Sequence, residues 1–317
     1  MKKLFGGINL TWKKVIIWAI IMGIYTAVVA IIPSLKYTSF HTIAVSFEVW
    51  ILCGIIIIMN SKSNKDSALK CFIFFLISQP LVYLLQVPFS RLGWSLFGYY
   101  KFWFIWTVLC IPMGYIGYYM KKDKWWGYLI LLPMILLTGY SYMMYLSDFM
   151  FSYPKYLLIC LFCISMMIIY PLYIFNNKKI KKVGVIISIV IIIAITIYGI
   201  LNPPVYNTSI GLSDYGYEFN EDYKVHLTEK YGTAKIGYLE NIDAYLLQVS
   251  FIKEGRATLE VTSPDGTTQE FLIDIKRDTY KVSRKEDTSS VNNDATNSKS
   301  EEFDDGSVDG NVKVDDN

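Results

Sequence analysis

The sequence has few of the residues on which most catalytic sites depend. It contains only two histidines, His41 and His226, in 317 residues. A His-Glu-x-x-His zinc motif, a Gly-x-Ser-x-Gly nucleophile turn and a glycine-rich phosphate loop are all absent. Because no pair of nucleophile and base stands out either, we expect no catalytic residue, no metal ion and no cofactor.

Charged residues are also scarce, since 18% of the chain is charged and 53% is hydrophobic. Seven apolar runs are each long enough, at about 1.5 Å per residue, to cross a hydrocarbon core about 30 Å thick. Lipid offers no partner for backbone polar groups, so these runs must be helices. The sequence therefore predicts an α-helical bundle of about seven transmembrane helices within residues 15–202, surrounded by the lipid bilayer. The predicted spans are Val15–Ile32, Phe40–Met59, Leu69–Val87, Phe102–Met120, Trp125–Leu146, Tyr156–Phe175 and Val183–Leu201.

Basic residues are nearly absent from every second gap between the spans. Fourteen of them lie before span one and after spans two, four and six, whereas the alternate gaps contain four. Lysine and arginine concentrate on the cytoplasmic side of membrane proteins. We therefore expect residues 1–14 to be cytoplasmic and the chain after span seven to be extracellular. Because the basic excess lies at one end of the helices, it does not indicate a nucleic-acid partner.

The last hundred residues lack cysteine and tryptophan, and the hydrophobic period changes there. Pro203 and Pro204 end the last helix. Apolar residues then alternate with polar ones, as in strands with one buried face. Residues 203–285 are thus predicted to form a small extracytoplasmic β-sandwich that folds without disulfides. The predicted strands are Tyr215–Phe219 as the first, then Tyr223–Leu227, Ala234–Tyr238, Tyr245–Phe251, Ala257–Val261 and Phe271–Ile275.

Two parts of the chain resemble known groups of proteins. The segment FIKEGRATLEVTSPDG at Phe251–Gly266, followed by FLIDI at Phe271–Ile275, resembles the closing strands of bacterial immunoglobulin-like surface domains. That resemblance covers residues 220–283 and implies an Ig-like sandwich. The membrane region, through residues 60–80 and GYIGYYMKK at Gly114–Lys122, is similar to polytopic membrane proteins of low-GC Gram-positive bacteria. It implies a multi-pass protein of a bacterial plasma membrane and transfers no activity to this chain.

Apolar residues become rare after Tyr280. From Glu286 to Asn317 the chain has ten acidic and two basic residues, a net charge of −8. A segment of this composition cannot bury enough apolar surface to offset its loss of chain entropy on folding. We therefore expect residues 286–317 to be a disordered acidic tail.

One carboxylate, Glu48, lies in the middle of a predicted span. It is about 16 Å from the inner end of span two by helix rise, and Gln79 lies at a matching depth in span three. A charge at this depth costs on the order of 3 kcal/mol unless it is paired or protonated. One interpretation is a structural hydrogen bond between Glu48 and Gln79. The other is a proton or cation site in a polar column, in which Gln86 and His41 lie seven residues from Gln79 and Glu48 on the same helix faces.

Two further pairs of residues are candidates for local interactions. Arg91 and Asp148 lie in outer segments and form a candidate ion pair, which contributes about 0–1 kcal/mol at a surface. Cys160 and Cys163 lie three residues apart in span six. Their spacing is compatible with helix packing and with a pair of metal ligands, and packing is the more common role.

Three functional hypotheses follow from these observations. The favoured one is a non-enzymatic integral plasma-membrane protein that displays residues 203–285 to an envelope component or a surface protein. The alternative is a small transporter or channel subunit that uses the polar column at Glu48, Gln79 and Gln86. The third is an intramembrane enzyme. Display requires only one membrane helix, so the favoured hypothesis leaves the other six helices to be explained.

Overall fold

A computed structural model describes residues 2–210, 212, 215–239, 244–276 and 279–285. Over these residues a helical bundle is followed by a β domain, which confirms the predicted fold class. The predicted acidic tail lies outside the described residues. The helices are α1 (Trp12–Ile31), α2 (Ser39–Val45), α3 (Phe47–Met59), α4 (Asn64–Gln86), α5 (Phe97–Gly117), α6 (Trp125–Phe151), α7 (Leu157–Ile174) and α8 (Lys178–Leu201). The strands are β1 (Tyr206–Ile210), β2 (Lys224–Leu227), β3 (Gly232–Leu239), β4 (Ala244–Phe251), β5 (Gly255–Thr262), β6 (Thr268–Ile275) and β7 (Tyr280–Arg284).

Six of the helices are long and apolar enough to cross a membrane, as expected of a multi-pass membrane protein. The predicted second span is different, because α2 and α3 are bent by 48° about Ser46. The prediction of a continuous helix at this position was wrong. With the bent pair taken as one broken span, the helices occupy the seven predicted positions.

Side chains satisfy the carbonyl groups that the break releases. Ser46 has an extended backbone, and its hydroxyl donates a hydrogen bond to the carbonyl oxygen of Ile43 at 3.2 Å. The hydroxyl of Thr26 on α1 donates to the carbonyl oxygen of Ala44 at 3.1 Å. In hydrocarbon an unsatisfied backbone group costs several kcal/mol. These two bonds therefore allow the chain to bend inside the bundle.

The lysine-rich loops meet at one end of the bundle. Asn60, just after α3, donates its side-chain amide to the carbonyl oxygen of Leu4 at 2.6 Å. Lys121, after α5, donates to the carbonyl oxygen of Ser61 at 2.7 Å. The carboxylate of Asp123 accepts hydrogen bonds from two backbone N–H groups just before α8. The N-terminal segment and three basic loops thus share this end, as the spacing of lysines predicts.

The other end of the bundle contains the start of α2. The backbone N–H of Ser39 donates to the carbonyl oxygen of Lys155, between α6 and α7, at 3.0 Å. Because α3 ends at the lysine-rich end, α2 and α3 together run from one end of the bundle to the other despite their bend.

The β domain is a sandwich of two antiparallel sheets. One has the strand order β1-β4-β3 and the other β2-β5-β6-β7. Inward-facing residues of both sheets form a single apolar core, which includes Leu247, Phe251, Leu259 and Phe271. In an immunoglobulin constant domain the third, sixth and seventh strands share a sheet. Here β6 and β7 pair next to β5, so the strand order differs from that arrangement.

The first strand was wrongly predicted. Residues Tyr215–Phe219 form no strand, and β1 lies earlier, at Tyr206–Ile210. The rings of Tyr215 and Tyr217 instead pack edge-on against Phe271 in the core, with centroids 5.2 and 5.7 Å away. The aromatic residues alternate as they would in a strand, but the segment is irregular. Aromatic side chains at alternate positions can cover one side of a core without strand pairing.

Candidate functional site

Glu48 is the second residue of α3, directly after the break, and is completely buried. The hydroxyl of Tyr145 on α6 donates to its Oε2 atom over a long 3.5 Å. Its other oxygen, Oε1, is buried and has no hydrogen-bond partner. Within the described part of the chain no basic side chain forms an ion pair with it. The carboxyl group therefore has one weak partner and one oxygen available to a proton or another donor.

The surroundings of Glu48 come from α6 and α7. Cys163 and Tyr170 of α7 both interact electrostatically with its carboxyl group. The Tyr170 side chain is fully buried, and its hydroxyl also lacks a hydrogen-bond partner. Two unsatisfied polar groups inside one packed region are unusual and call for an explanation.

The helix break gives Glu48 a favourable electrostatic position. A helix N-terminus carries a partial positive charge, and a carboxylate in the first turn is stabilised by about 0.3–1 kcal/mol or more when partly buried. No side chain caps the N-terminus of α3, since the Ser46 hydroxyl bonds backward into α2. Glu48 is the acidic residue of this first turn. Broken helices whose N-termini face the bundle interior form anion and ion sites in transporters.

The predicted hydrogen bond between Glu48 and Gln79 is not formed. The Nε2 atom of Gln79 is buried without a partner, so it donates to neither oxygen of Glu48. Gln79 lies on α4, which packs chiefly against α1 and α5. Glu48 instead accepts its hydrogen bond from Tyr145 of α6, although α3 also packs against α4. Neighbouring positions in sequence and equal depth were not sufficient to predict the partner.

The predicted polar column is also not continuous. His41 and Glu48 share a face only if one helix contains both, and the break at Ser46 separates them. His41 is half-buried on α2. The amide of Gln86 donates within its own helix, to the carbonyl oxygen of Val82 at 3.0 Å. Of the four column residues, only Glu48 has a side chain that meets a polar group of α6, the hydroxyl of Tyr145.

The remaining candidates have simpler positions. Arg91 lies between α4 and α5, and Asp148 lies in the last turn of α6, so their pairing stays a prediction. Cys160 and Cys163 both lie on α7 and are buried. Among the described residues no three His, Cys, Asp or Glu side chains are grouped closely enough to hold a metal ion.

A contact between the bundle and the β domain was not predicted. We call it the clasp, and it joins Glu254, before β5, to residues 151–155, which comprise the last residue of α6 and the start of its connection to α7. The Glu254 carboxylate accepts from the hydroxyl of Ser152 at 2.8 Å and from the ammonium group of Lys155 at 2.7 Å. Its backbone N–H donates to the carbonyl oxygen of Phe151 at 2.9 Å. The ring of Phe151 is buried in the core of the β domain.

In the sequence, Glu254 lies within the segment Phe251–Gly266 that resembles immunoglobulin-like surface domains. That resemblance gave no sign of a partner about a hundred residues earlier. The segment from Phe151 to Lys155, which lies between the predicted spans five and six, contains an aromatic residue next to polar residues. This was the available signal, but it also suits an ordinary membrane interface.

The outward face of the sheet β1-β4-β3 is polar. We call this surface the polar face; it has two rows of side chains in register across the three strands, and a shallow hollow of about 430 Å³ lies over it. The hydroxyl of Ser250 donates to the side-chain oxygen of Asn207 at 2.6 Å. The rows are Asn207, Ser250 and Thr233, then Ser209, Gln248 and Lys235.

Comparison of the chain with protein-family models, with curated proteins and with solved structures finds no match. The resemblances to immunoglobulin-like surface domains and to Gram-positive membrane proteins therefore stay predictions. The distinctive features of the structure are the buried carboxyl group at a helix break and the clasp that joins two domains.

A double-mutant cycle tests the partner of Glu48. We expect Gln79→Leu to leave stability unchanged or raise it, because the substitution removes a buried donor that makes no hydrogen bond, a group that costs about 1–3 kcal/mol when unsatisfied. Thermal unfolding in detergent of Glu48→Gln, Gln79→Leu and the double variant should show additive effects. The matched cycle of Glu48→Gln with Tyr145→Phe should be non-additive. Coupling between positions 48 and 79 would contradict this assignment.

Proposed function

We propose that the protein holds its β domain in a fixed orientation at the outer surface of a bacterial plasma membrane, for contact with an envelope component or another surface protein. The clasp carries this proposal. A domain attached only through α8 and the Pro203-Pro204 segment would be free to reorient. The clasp gives it a second attachment point on the α6–α7 connection, which supplies a reason for helices other than α8.

The apolar part of the clasp contributes more than its charges. Lys155 and Glu254 are partly exposed, at 44% and 18% for their side chains, so solvent screens their attraction to about 0–1 kcal/mol. Burial of a phenylalanine side chain such as Phe151 contributes about 1.5–3 kcal/mol. The ion pair and the Ser152 hydrogen bond then select the orientation in which the domain is docked.

The charge distribution supports the proposed sidedness. The lysine-rich loops lie at one end of the bundle and the clasp at the other. By the positive-inside rule the lysine-rich end is cytoplasmic, which leaves the β domain outside. The polar face offers hydroxyl and amide groups and the ammonium group of Lys235 to a partner. The likeness of Phe251–Gly266 to surface domains agrees with this proposal, although the strand order differs.

Exchange of the clasp charges tests the fixed orientation. We expect Lys155→Glu and Glu254→Lys each to broaden the distance distribution between spin labels at Tyr37 and Asp265 in an otherwise cysteine-free chain. The double exchange should narrow it again because it restores the ion pair, while Phe151→Ala should broaden it most. Pulsed electron–electron double resonance on the reconstituted protein measures these distance distributions.

The control for this test is Glu270→Lys, which breaks a pair with Lys285 inside the β domain and should leave the distribution narrow. Equal distributions for the unaltered chain, both single exchanges and Phe151→Ala would show that the clasp does not orient the domain.

The second candidate function is that of a small proton-coupled transporter or a channel subunit. It is favoured by the buried Oε1 atom of Glu48, which lacks a partner at an uncapped helix N-terminus. In this candidate function, the polar groups are those of Glu48, Tyr145 and Tyr170, in place of the predicted column of Glu48, Gln79 and Gln86. Removal of residues 203–317 separates the two functions, since display would be lost while solute movement would remain.

Proton flux tests this second candidate. If Glu48 carries protons, the protein in vesicles with a trapped pH-sensitive dye should dissipate a pH gradient, and Glu48→Gln should stop it because an amide cannot exchange a proton in this way. Gln79→Leu is the matched control and should retain the flux. Equal rates for protein-containing and empty vesicles would remove this function from consideration.

A further inference from the structure

A cleft of about 470 Å³ lies between α3, α4, α5 and α6. Glu48 is not among the residues that line it. Its walls are made of aromatic rings, aliphatic side chains and thiols, and no charged residue lines it. Representative lining residues are Trp50, Gly54, Phe75, Trp106, Cys110 and Met134.

The cleft opens at the surface between α5 and α6. Three of its lining residues, Met113, Ile116 and Leu137, are also exposed on the outside of the bundle. Gly54 leaves its α3 wall open, since a Cβ atom there would have no neighbour within 4 Å. Water does not wet an opening of this composition within a membrane span. Hydrocarbon is therefore the material that can enter.

The length of the cleft corresponds to one leaflet of a bilayer. Along α3 it extends from Phe47 to Ile58, about 16 Å at 1.5 Å per residue. That is about half of a 30 Å hydrocarbon core. Ile58 lies just before Asn60 and Ser61, at the lysine-rich end. The cleft thus covers the depth of the leaflet at that end.

Basic side chains lie beyond the inner limit of the cleft. Lys121 donates to the carbonyl oxygen of Ser61, three residues after Ile58, and its ammonium group lies over the ring of Tyr118. Lys122 lies over the rings of Tyr119 and Trp126. Lysines at a membrane surface attract anionic lipid by about 1 kcal/mol each. A phosphate at this height therefore has two cations nearby.

We propose that this cleft binds one acyl chain of an anionic phospholipid from the leaflet at the lysine-rich end, with the phosphate group near Lys121 and Lys122. The alternative occupant, a helix of a partner protein, would be about 10 Å across and would bring no phosphate group to the level of Lys121 and Lys122. An acyl chain is narrow, apolar and as long as the leaflet is deep.

Photolabelling in reconstituted bilayers tests this site. The probe is phosphatidylglycerol with a diazirine in one acyl chain, and the labelled residues are located by mass spectrometry. We expect labels on the α3, α5 and α6 residues that line the cleft. Gly54→Phe should remove most of this labelling because the ring fills the cleft, and the open space at Gly54 allows the variant to fold.

Gly98→Phe is the matched control, since Gly98 is also open and lies outside the cleft; it should keep the labelling. A Lys121→Gln and Lys122→Gln double variant should label equally with phosphatidylglycerol and the zwitterionic phosphatidylcholine, while the unaltered chain prefers the former. Three results would overturn the proposal: labelling of the cleft no stronger than that of the exposed face of α8, labelling unaffected by Gly54→Phe, or crosslinks from the cleft to another protein chain.

Discussion

The bundle depends on a helix that breaks inside the membrane-spanning region and still satisfies its backbone. At Ser46 the regular hydrogen bonding of the second span stops. Each unsatisfied carbonyl group there would cost several kcal/mol in hydrocarbon. The hydroxyl groups of Ser46 and Thr26 satisfy these carbonyl groups, because they donate hydrogen bonds to the carbonyl oxygens of Ile43 and Ala44. With both donors in place, the bend at Ser46 leaves neither carbonyl group unsatisfied.

The direction of α3 links the polar and apolar features of the bundle. One face brings Glu48 to Tyr145 on α6 and to α7, and another face, including Gly54, forms a wall of the cleft. The same α6 ends at Phe151, whose ring enters the core of the β domain. α6 thus connects the surroundings of Glu48 to the clasp.

Some of this architecture could be predicted because it follows from local rules. Span length and lysine position predict the helices, since hydrocarbon thickness and the positive-inside rule act on each segment separately. Alternation likewise predicts β2 to β6. The break could not be predicted, because it depends on Thr26, a residue of another helix. Prolines, the usual signal for a kink, lie inside α4 to α7, which continue through them. The clasp depends on residues about a hundred positions apart, which no local pattern reveals.

The most direct test of this account asks whether α2 and α3 cross the membrane as one broken span. Single cysteines at Tyr37 and Lys62, in an otherwise cysteine-free chain, flank the pair on either side. They are treated with a membrane-impermeant maleimide in intact cells and again after lysis. The account predicts that position 37 reacts in intact cells and position 62 only after lysis. Reaction of both positions from the same side would show that the pair is a re-entrant loop and would contradict the account.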